Sequence, residues 1–262
     1  MMQLQAPASW RTVDLISDLH LQASEPATFA AWQHYMANTS ADAVLILGDL
    51  FEVWVGDDAV AESSFLQACA DVLQTAGNRL YLGLMHGNRD FLLGESFVRQ
   101  CHGHLLDDPT VLTWGKASWL LSHGDALCTD DVEYQAFRNQ VRTPQWARIF
   151  LDKPLAERQE MARHIRSQSE LRKQASPVPT HYADADPALC QQWLAQAQAS
   201  TLIHGHTHQA ADHLLPGQLP QNAGSKVLKR LVLSDWDLSA EPARAQVLRL
   251  SANGEFRRIN HA

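Results

Sequence analysis

The 262-residue chain is 45% hydrophobic and 19% charged, with a formal net charge of −8; this is enough apolar material for one large core or two modest ones. The acidic balance argues against a dedicated nucleic-acid binder, whose footprint is a basic face, and no stretch approaches the roughly 18 uninterrupted apolar residues of a spanning helix. Cys69, Cys101, Cys128 and Cys190 are scattered without a CxxC pair, so a soluble, cytosolic protein with reduced structural thiols is expected rather than a zinc knuckle or a disulfide framework.

Five short Val/Leu/Ile runs read as buried strands, and each stops at a cluster of metal-type side chains. VDLIS ends at Asp18 and His20, AVLIL at Gly48 and Asp49, and LYLGLM at His86, Gly87, Asn88, Arg89 and Asp90. WLLS ends at His123, Gly124 and Asp125, and TLI at His204, Gly205, His206, Thr207 and His208. FAAWQHYMAN and SSFLQACADVLQTAG have helical periodicity between these runs, so the chain up to about Asp125 alternates strand and helix in the α/β manner. After Cys128 the pattern changes to VEYQAFRNQVRTPQWARIFL and LAERQEMARHIRSQSELRKQ, apolar residues at helical spacing within polar stretches, until Pro177 and Pro179 interrupt it. An inserted helical cap is predicted. Asp186 followed by Pro187 signals the start of the helix PALCQQWLAQAQA. VLKRLVLSDWD, ARAQVLRLS and EFRRIN are predicted to be antiparallel strands closing a second sheet. The expected division is a core of residues 1–131 and 186–262 with a cap of residues 132–185. Between Arg138 and Lys173, nine Lys/Arg stand against four Asp/Glu. That excess is either a solvated helical face or an attraction for an anionic substrate or membrane surface.

Open α/β sheets bind their ligands at the carboxyl ends of strands, so five such ends can converge on one site. Asp18 and His20, two residues apart, point the same way in extended backbone and can share a cation. Asp49 can place its two oxygens on two cations. Asn88 offers an amide oxygen, His123 an imidazole, and in HGHTH the alternate histidines His206 and His208 share one side. Singly each is weak, because an Asp at a strand end often caps a loop and a lone His is more often a hydrogen-bonded core residue. Five clusters in order, with glycines that let backbone approach closely, are not explained that way. Mixed nitrogen and oxygen donors suit manganese, iron or zinc better than magnesium or calcium.

The order DxH, GD, GN, HGD, GHxH, running from Asp18 to His208, resembles the calcineurin-like metallophosphoesterase superfamily. That resemblance implies an α/β fold, a four-layer αββα sandwich carrying the helical cap. It also implies two divalent metal ions, with manganese expected: Asp18, His20 and His208 hold one, Asn88, His123 and His206 the other, and Asp49 bridges them. His204 falls outside the ligand positions and is read as structural or as support for a ligand. Where many relatives carry GNHE or GNHD, this chain has GNRDF. Arg89 thus replaces a proton-donating histidine; an arginine donates no proton readily but clamps phosphate oxygens.

The blocks GDLFEVWVGDD, HGNRDFLLG, HGDALCTDDVEYQAFR and IHGHTH are in turn similar to the UDP-2,3-diacylglucosamine diphosphatases of lipid A synthesis. This narrower resemblance implies hydrolysis of a pyrophosphate by water attack on the uridine-side phosphorus, giving UMP and 2,3-diacylglucosamine 1-phosphate. Asp49, Asn88 and Arg89 would be catalytic. Asn88, Arg89, Asp131, Ser169, Lys173, Ser176 and His206 would contact substrate, Lys173 and Ser176 at positions where relatives commonly show Asn and Lys. Gln209 and Ala210 replace the usual Arg and Pro after HGHTH. Trp146, Ile149, Phe150, Leu151, Leu155 and Met161 would give the cap an apolar slot for acyl chains, with core packing of the helices as the alternative. The implied partner is an acylated UDP-sugar lipid, met in peripheral contact with the cytoplasmic face of a bacterial inner membrane, with no nucleic acid and no obligate protein partner. Two other readings compete: a same-fold enzyme for soluble dinucleoside polyphosphates or phosphodiesters, and a non-catalytic scaffold. The scaffold requires degraded ligands, and all seven are present.

Overall fold

Alternation within single strands sorts the apolar residues into three layers of core. In the strand Ala43–Leu47, Ala43, Leu45 and Leu47 join one buried cluster while Val44 and Ile46 join another, as expected of a strand covered on both faces. The computed structural model describes residues 1–175, 184–218 and 227–262, without the side chains of 169–175 and 218.

In chain order the elements are β1 (Met2–Gln5), β2 (Thr12–Ile16), α1 (Pro26–Asn38), β3 (Ala43–Leu47), α2 (Ser64–Gly77), β4 (Tyr81–Met85), α3 (Glu95–Gln100), β5 (His104–Leu106), β6 (Thr110–Trp114) and β7 (Ala117–Leu121). There follow α4 (Val132–Val141), α5 (Pro144–Leu151), α6 (Leu155–Ala175), α7 (Pro187–Ala197), β8 (Thr201–His204), β9 (Ala211–Gln218), β10 (Val227–Val232), β11 (Gln246–Ser251) and β12 (Phe256–Asn260). They build two sheets, ordered β12-β11-β2-β3-β4-β5 and β1-β6-β7-β8-β10-β9. Leu15, Leu45, Leu121 and Ile203 lie in the core between the sheets. Trp32 and Tyr35 of α1 and Leu73 of α2 cover the outside of the first sheet, and Cys190 and Leu194 of α7 cover the second. The result is the four-layer αββα arrangement.

The carboxyl-terminal strands differ from the sequence expectation. β10 is parallel to β8, β9 is antiparallel to β10, and β11 with β12 extends the first sheet next to β2. The reason is two-sided burial. Leu228 of β10 enters the core under α7 and Leu231 the core between the sheets, so β10 belongs in a sheet interior.

The stretch from Val132 to Leu151 is two helices rather than one. Pro144 lacks the N–H that a continuous helix needs and disfavours helical geometry in the residue before it; Thr143 accepts a hydrogen bond from the Trp146 N–H and restarts the chain as α5. Phe150 is buried, and Trp146, Leu155 and Met161 pack on the core beside α1 and α2, leaving Ile149 and Leu151 exposed. Core packing therefore accounts for four of the six apolar residues expected to form the slot. Four of the basic side chains of this region are also turned inward. Arg138 and Arg142 meet the buried Asp125, Arg166 meets Glu52, and Arg158 binds the Val55 carbonyl and the Asp58 carboxylate.

Asp14 on β2 is fully buried and accepts hydrogen bonds from Tyr35 Oη, Thr39 Oγ1 and both Nε and Nη2 of Arg249. The cluster ties β11 and α1 to the central strand. Removing one partner of a buried pair leaves the other charge uncompensated, so Arg249→Ala is expected to lower unfolding free energy by about 3 kcal/mol in urea titrations. A loss below about 1 kcal/mol would show that the two hydroxyls suffice.

Candidate metal centre

The ends of β2, β3, β4, β7 and β8 meet where the two sheets open. The Asp18 N–H reaches the Gly48 carbonyl, the Leu19 and His20 N–H groups reach the Asp49 carbonyl, and the Gly205 N–H reaches the His123 carbonyl. Five non-glycine residues here have positive φ: Asp18 at 54°, His20 at 48°, Asp49 at 52°, His206 at 66° and His208 at 55°. Extended backbone was expected at Asp18 and His20; the chain is left-handed at both. Such geometry is costly for L-residues outside turns and concentrates at functional sites. Close approach also fixes two glycines. A Cβ on Gly87 would sit 2.0 Å from Asp49 Oδ1, and one on Gly205 would sit 2.2 Å from Asp18 Oδ2.

These turns split the side chains into two groups. In the first, His208 Nε2 lies 3.3 Å from His20 Nε2 and 3.5 Å from Asp18 Oδ1. In the second, Asn88 Oδ1 lies 2.9 Å from His123 Nε2 and 2.8 Å from His206 Nδ1. Asp49 Oδ2 stands between them, 3.9 Å from His20 Nε2 and 3.7 Å from His123 Nε2. His206 and His208 thus serve different groups rather than sharing one side. Asp18, His20 and His208 could hold one cation, and Asp18, Asp49 and His123 also lie within reach of a common ion. The donor set of carboxylate, imidazole and amide suits a borderline divalent metal.

Charges inside the cluster are strongly coupled. Burial alone would raise the Asp18 carboxyl, but His208, His123 and His20 outweigh it and hold it well below the usual range. Burial raises Asp49 to about 6 against the opposing pull of His123 and His20. His123 is disfavoured as a cation by burial, yet Asp49, Asp18 and Asp125 lift it to about 9. Burial and the neighbouring His123 drop His206 to about 3.

Four carboxylates that sequence reading had left without a role support this centre. Asp90 accepts from the N–H groups of Gly87, Leu50, Phe51 and Asp49, which pins two of the ligand loops together. Asp125 accepts from Tyr134 Oη, Arg138 Nε and Arg142 Nη2. Arg142, the residue that ends α4, also donates to the Gly87 carbonyl at 2.8 Å and so grips the residue before Asn88. Glu52 lies behind His20, and Asp235 behind His208. The adjacent GNRDF and HGD blocks were the available signal for Asp90 and Asp125; Asp235 follows β10, far from any ligand motif.

Arg89 sits at the edge of the site, its side chain 24% exposed and its Nη1 3.9 Å from Glu52 Oε1. Its backbone N–H donates to Asp49 Oδ1 at 2.8 Å. Its buried Nε has no hydrogen-bond acceptor among the described residues. His204 is fully buried, with Nδ1 near the Gly205 carbonyl, and joins neither group. Asp131 is exposed and caps α4 by accepting from the Tyr134 N–H. The side chains of Ser169 and Lys173, and all of Ser176, lie outside the described residues.

The layered fold with its paired cluster defines a class: the chain belongs to the calcineurin-like phosphoesterase family, whose model matches residues 11–210. It is accordingly a hydrolase of the metallophosphoesterase class. Within that class it is similar to proteins named UDP-2,3-diacylglucosamine hydrolase. It is 45% identical to the one from Chromobacterium violaceum over 86% of this chain and 90% of that protein. The relative from Chromohalobacter salexigens is 41% identical over 86% and 89%, and that from Bordetella pertussis 38% identical over 92% of each.

The raised His123 value has a stability consequence. Its folded-state value of about 9 exceeds the ordinary 6.5, so its proton stabilises the metal-free fold fully below pH 6.5 and that contribution is lost as pH rises through about 9. Chelator-treated protein is expected to melt at falling temperature across this window, and saturating manganese to abolish the decline. A flat profile in chelator would contradict the assignment.

Proposed function

We propose that the chain hydrolyses the pyrophosphate of UDP-2,3-diacylglucosamine, with water attacking the uridine-side phosphorus. The P–O bond to the bridging oxygen breaks, that oxygen leaves with the sugar phosphate, and the products are UMP and 2,3-diacylglucosamine 1-phosphate. The observation that carries the reading is Arg89: a partly exposed guanidinium with an unclaimed Nε, fixed by its own backbone to the carboxylate shared between the two ligand groups. The relatives of like length and name support the substrate.

Asp18, His20 and His208 would hold one divalent cation and Asn88, His123 and His206 a second, with Asp49 shared; manganese is the expected ion. When bound, such a pair lowers the pKa of a coordinated water and neutralises the attacked phosphate. The residues of the chain supply the rest. Arg89 donates to phosphate oxygens as negative charge grows on them. No proton donor is compulsory, because a phosphate is a good leaving group. Asn88 and His206 border the same space, and Tyr134 lies beside His206 with ring centroids 6.1 Å apart.

Residues 132–185 act as a cap in this reading, with Asp131, Ser169, Lys173 and Ser176 as its candidate polar contacts to sugar and phosphate. Exposed Ile149, Leu151 and Ile165 on α5 and α6 supply apolar surface for an acylated substrate and for peripheral contact with the inner membrane. No described helix is long and apolar enough to cross a membrane.

Arg89→Ala is expected to cut turnover by about 100-fold or more with the metal content unchanged; activity within threefold of wild type would remove Arg89 from the reaction. In isotopic water the label is expected in UMP, and its appearance in the lipid phosphate would move the point of attack. With most cap arginines docked inward, attachment to anionic vesicles should be weak and released by about 1 M salt. Retention through high salt but release by detergent would indicate apolar anchoring.

A further inference from the structure

A cavity of about 490 Å³ lies between the ends of β4 and β5 and the corner where α4 passes into α5. None of the candidate metal ligands lines it. His86, Phe91 and Leu105 form its body side, and Arg138, Val141 and Arg142 its α4 side. Its size is that of a small-molecule site. The loop that carries Asn88 and Arg89 borders the cavity at both ends, leaving it at His86 and returning at Phe91. His86 and Asn88 are two Cα steps apart, at most about 7.6 Å. A ribose can bridge such a distance between a base and its 5′-phosphate.

The walls combine flat faces with unused hydrogen-bonding groups. The Arg142 guanidinium lies over the Phe91 ring, 5.4 Å from its centroid, and aromatic and guanidinium faces are what nucleobases stack on. Arg138 donates to Asp125 through Nε, and Arg142 donates to Asp125 and the Gly87 carbonyl through Nη2. The other N–H groups of each guanidinium remain for the carbonyl oxygens of a bound ring. His86 Nε2–H donates to the Leu93 carbonyl at 2.6 Å, and in the neutral ring this tautomer makes Nδ1 an acceptor. An acyl chain buried here would leave those donors and that acceptor unpaired, which is costly. A pyrimidine nucleoside meets them with carbonyl oxygens, a ring N–H and ribose hydroxyls.

We propose that this cavity is the nucleoside subsite: it receives the uridine of the substrate and holds it in UMP after the bond breaks. This rests on the reading of the substrate given above. His86, Phe91, Arg138 and Arg142 then read the base at a distance from the reacting phosphorus, apart from the exposed apolar residues of α5 and α6 that the lipid half would use.

The test compares UMP with ribose 5-phosphate, which carries the same phosphate without the base, by calorimetry on the full chain loaded with manganese. Wild type is expected to bind UMP more tightly by about tenfold or more. Ala147→Trp, which fills the cavity from α5, should bring the two to equal affinity and leave the affinity for 2,3-diacylglucosamine 1-phosphate unchanged. Irradiation of wild type with bound 4-thiouridine 5′-monophosphate is expected to crosslink α4 or the segment from His86 to Leu92; it needs no variant, and decides the matter if Ala147→Trp fails to fold. Equal affinity for UMP and ribose 5-phosphate in wild type, or crosslinks confined to α6, would overturn the subsite while hydrolysis of the nucleotide lipid stood. An Ala147→Trp chain that loses the lipid phosphate and keeps UMP would also overturn it, giving the cavity to an acyl chain. A preference for UMP that Ala147→Trp removes, in a wild-type chain that leaves the nucleotide lipid intact, would support the subsite and overturn only the substrate.

Discussion

Four carboxyl groups, Asp18, Asp49, Asp90 and Asp125, are packed out of water where the two sheets meet, and most of the local structure answers that concentration of buried negative charge. A buried carboxylate survives only if donors or cations surround it. The four are compensated in different ways. Asp90 is neutralised by backbone N–H groups from two loops. Asp125 is matched by arginines from α4. Asp18 and Asp49 are left chiefly to histidines, which are exchangeable partners: the same nitrogens accept a proton or a metal. The strained turns, the paired rings and the shared Asp49 all follow from keeping those two carboxylates close together without fixed positive charge on them.

The helices from α4 to α6 are part of this compensation. Arg138 and Arg142 descend from α4 to Asp125, Arg166 reaches Glu52 and Arg158 reaches Val55 and Asp58. A helical region that a charge count marks as basic therefore spends four of its arginines on contacts with the body rather than presenting them outward. The apolar residues behave likewise, with Trp146, Phe150, Leu155 and Met161 completing the body's core.

Much of this architecture was legible because its signals are local. Each residue of the paired cluster lies within a few residues of the end of an apolar run, so strand and chemistry are read from one short window, and the order of five windows resembles one superfamily. The strand order after β10 was less legible, since a parallel and an antiparallel neighbour demand the same alternation of side chains. Left-handed backbone at Asp18 and His208 could not be read either, for neither Asp nor His advertises it. Asp235 and Glu52 are hidden for a different cause. Their partners are distant in sequence, His208 from one and His20 and Arg166 from the other, and an isolated acidic residue looks like ordinary surface until the chain folds. Apolar cap residues were ambiguous between a slot and a core because helical spacing is identical for both.

The contact between Arg142 and the Gly87 carbonyl joins two events that are usually considered apart. The same guanidinium that seats the end of α4 on the body holds the peptide leading into Asn88, so the placement of α4 and the placement of Asn88 are linked equilibria. Linkage is reciprocal: whatever shifts the end of α4 also shifts the peptide that carries Asn88, and a change at Asn88 returns to α4 through the same guanidinium. One side chain thus makes a helix on the outside of the body and a loop at its centre answer to the same displacement.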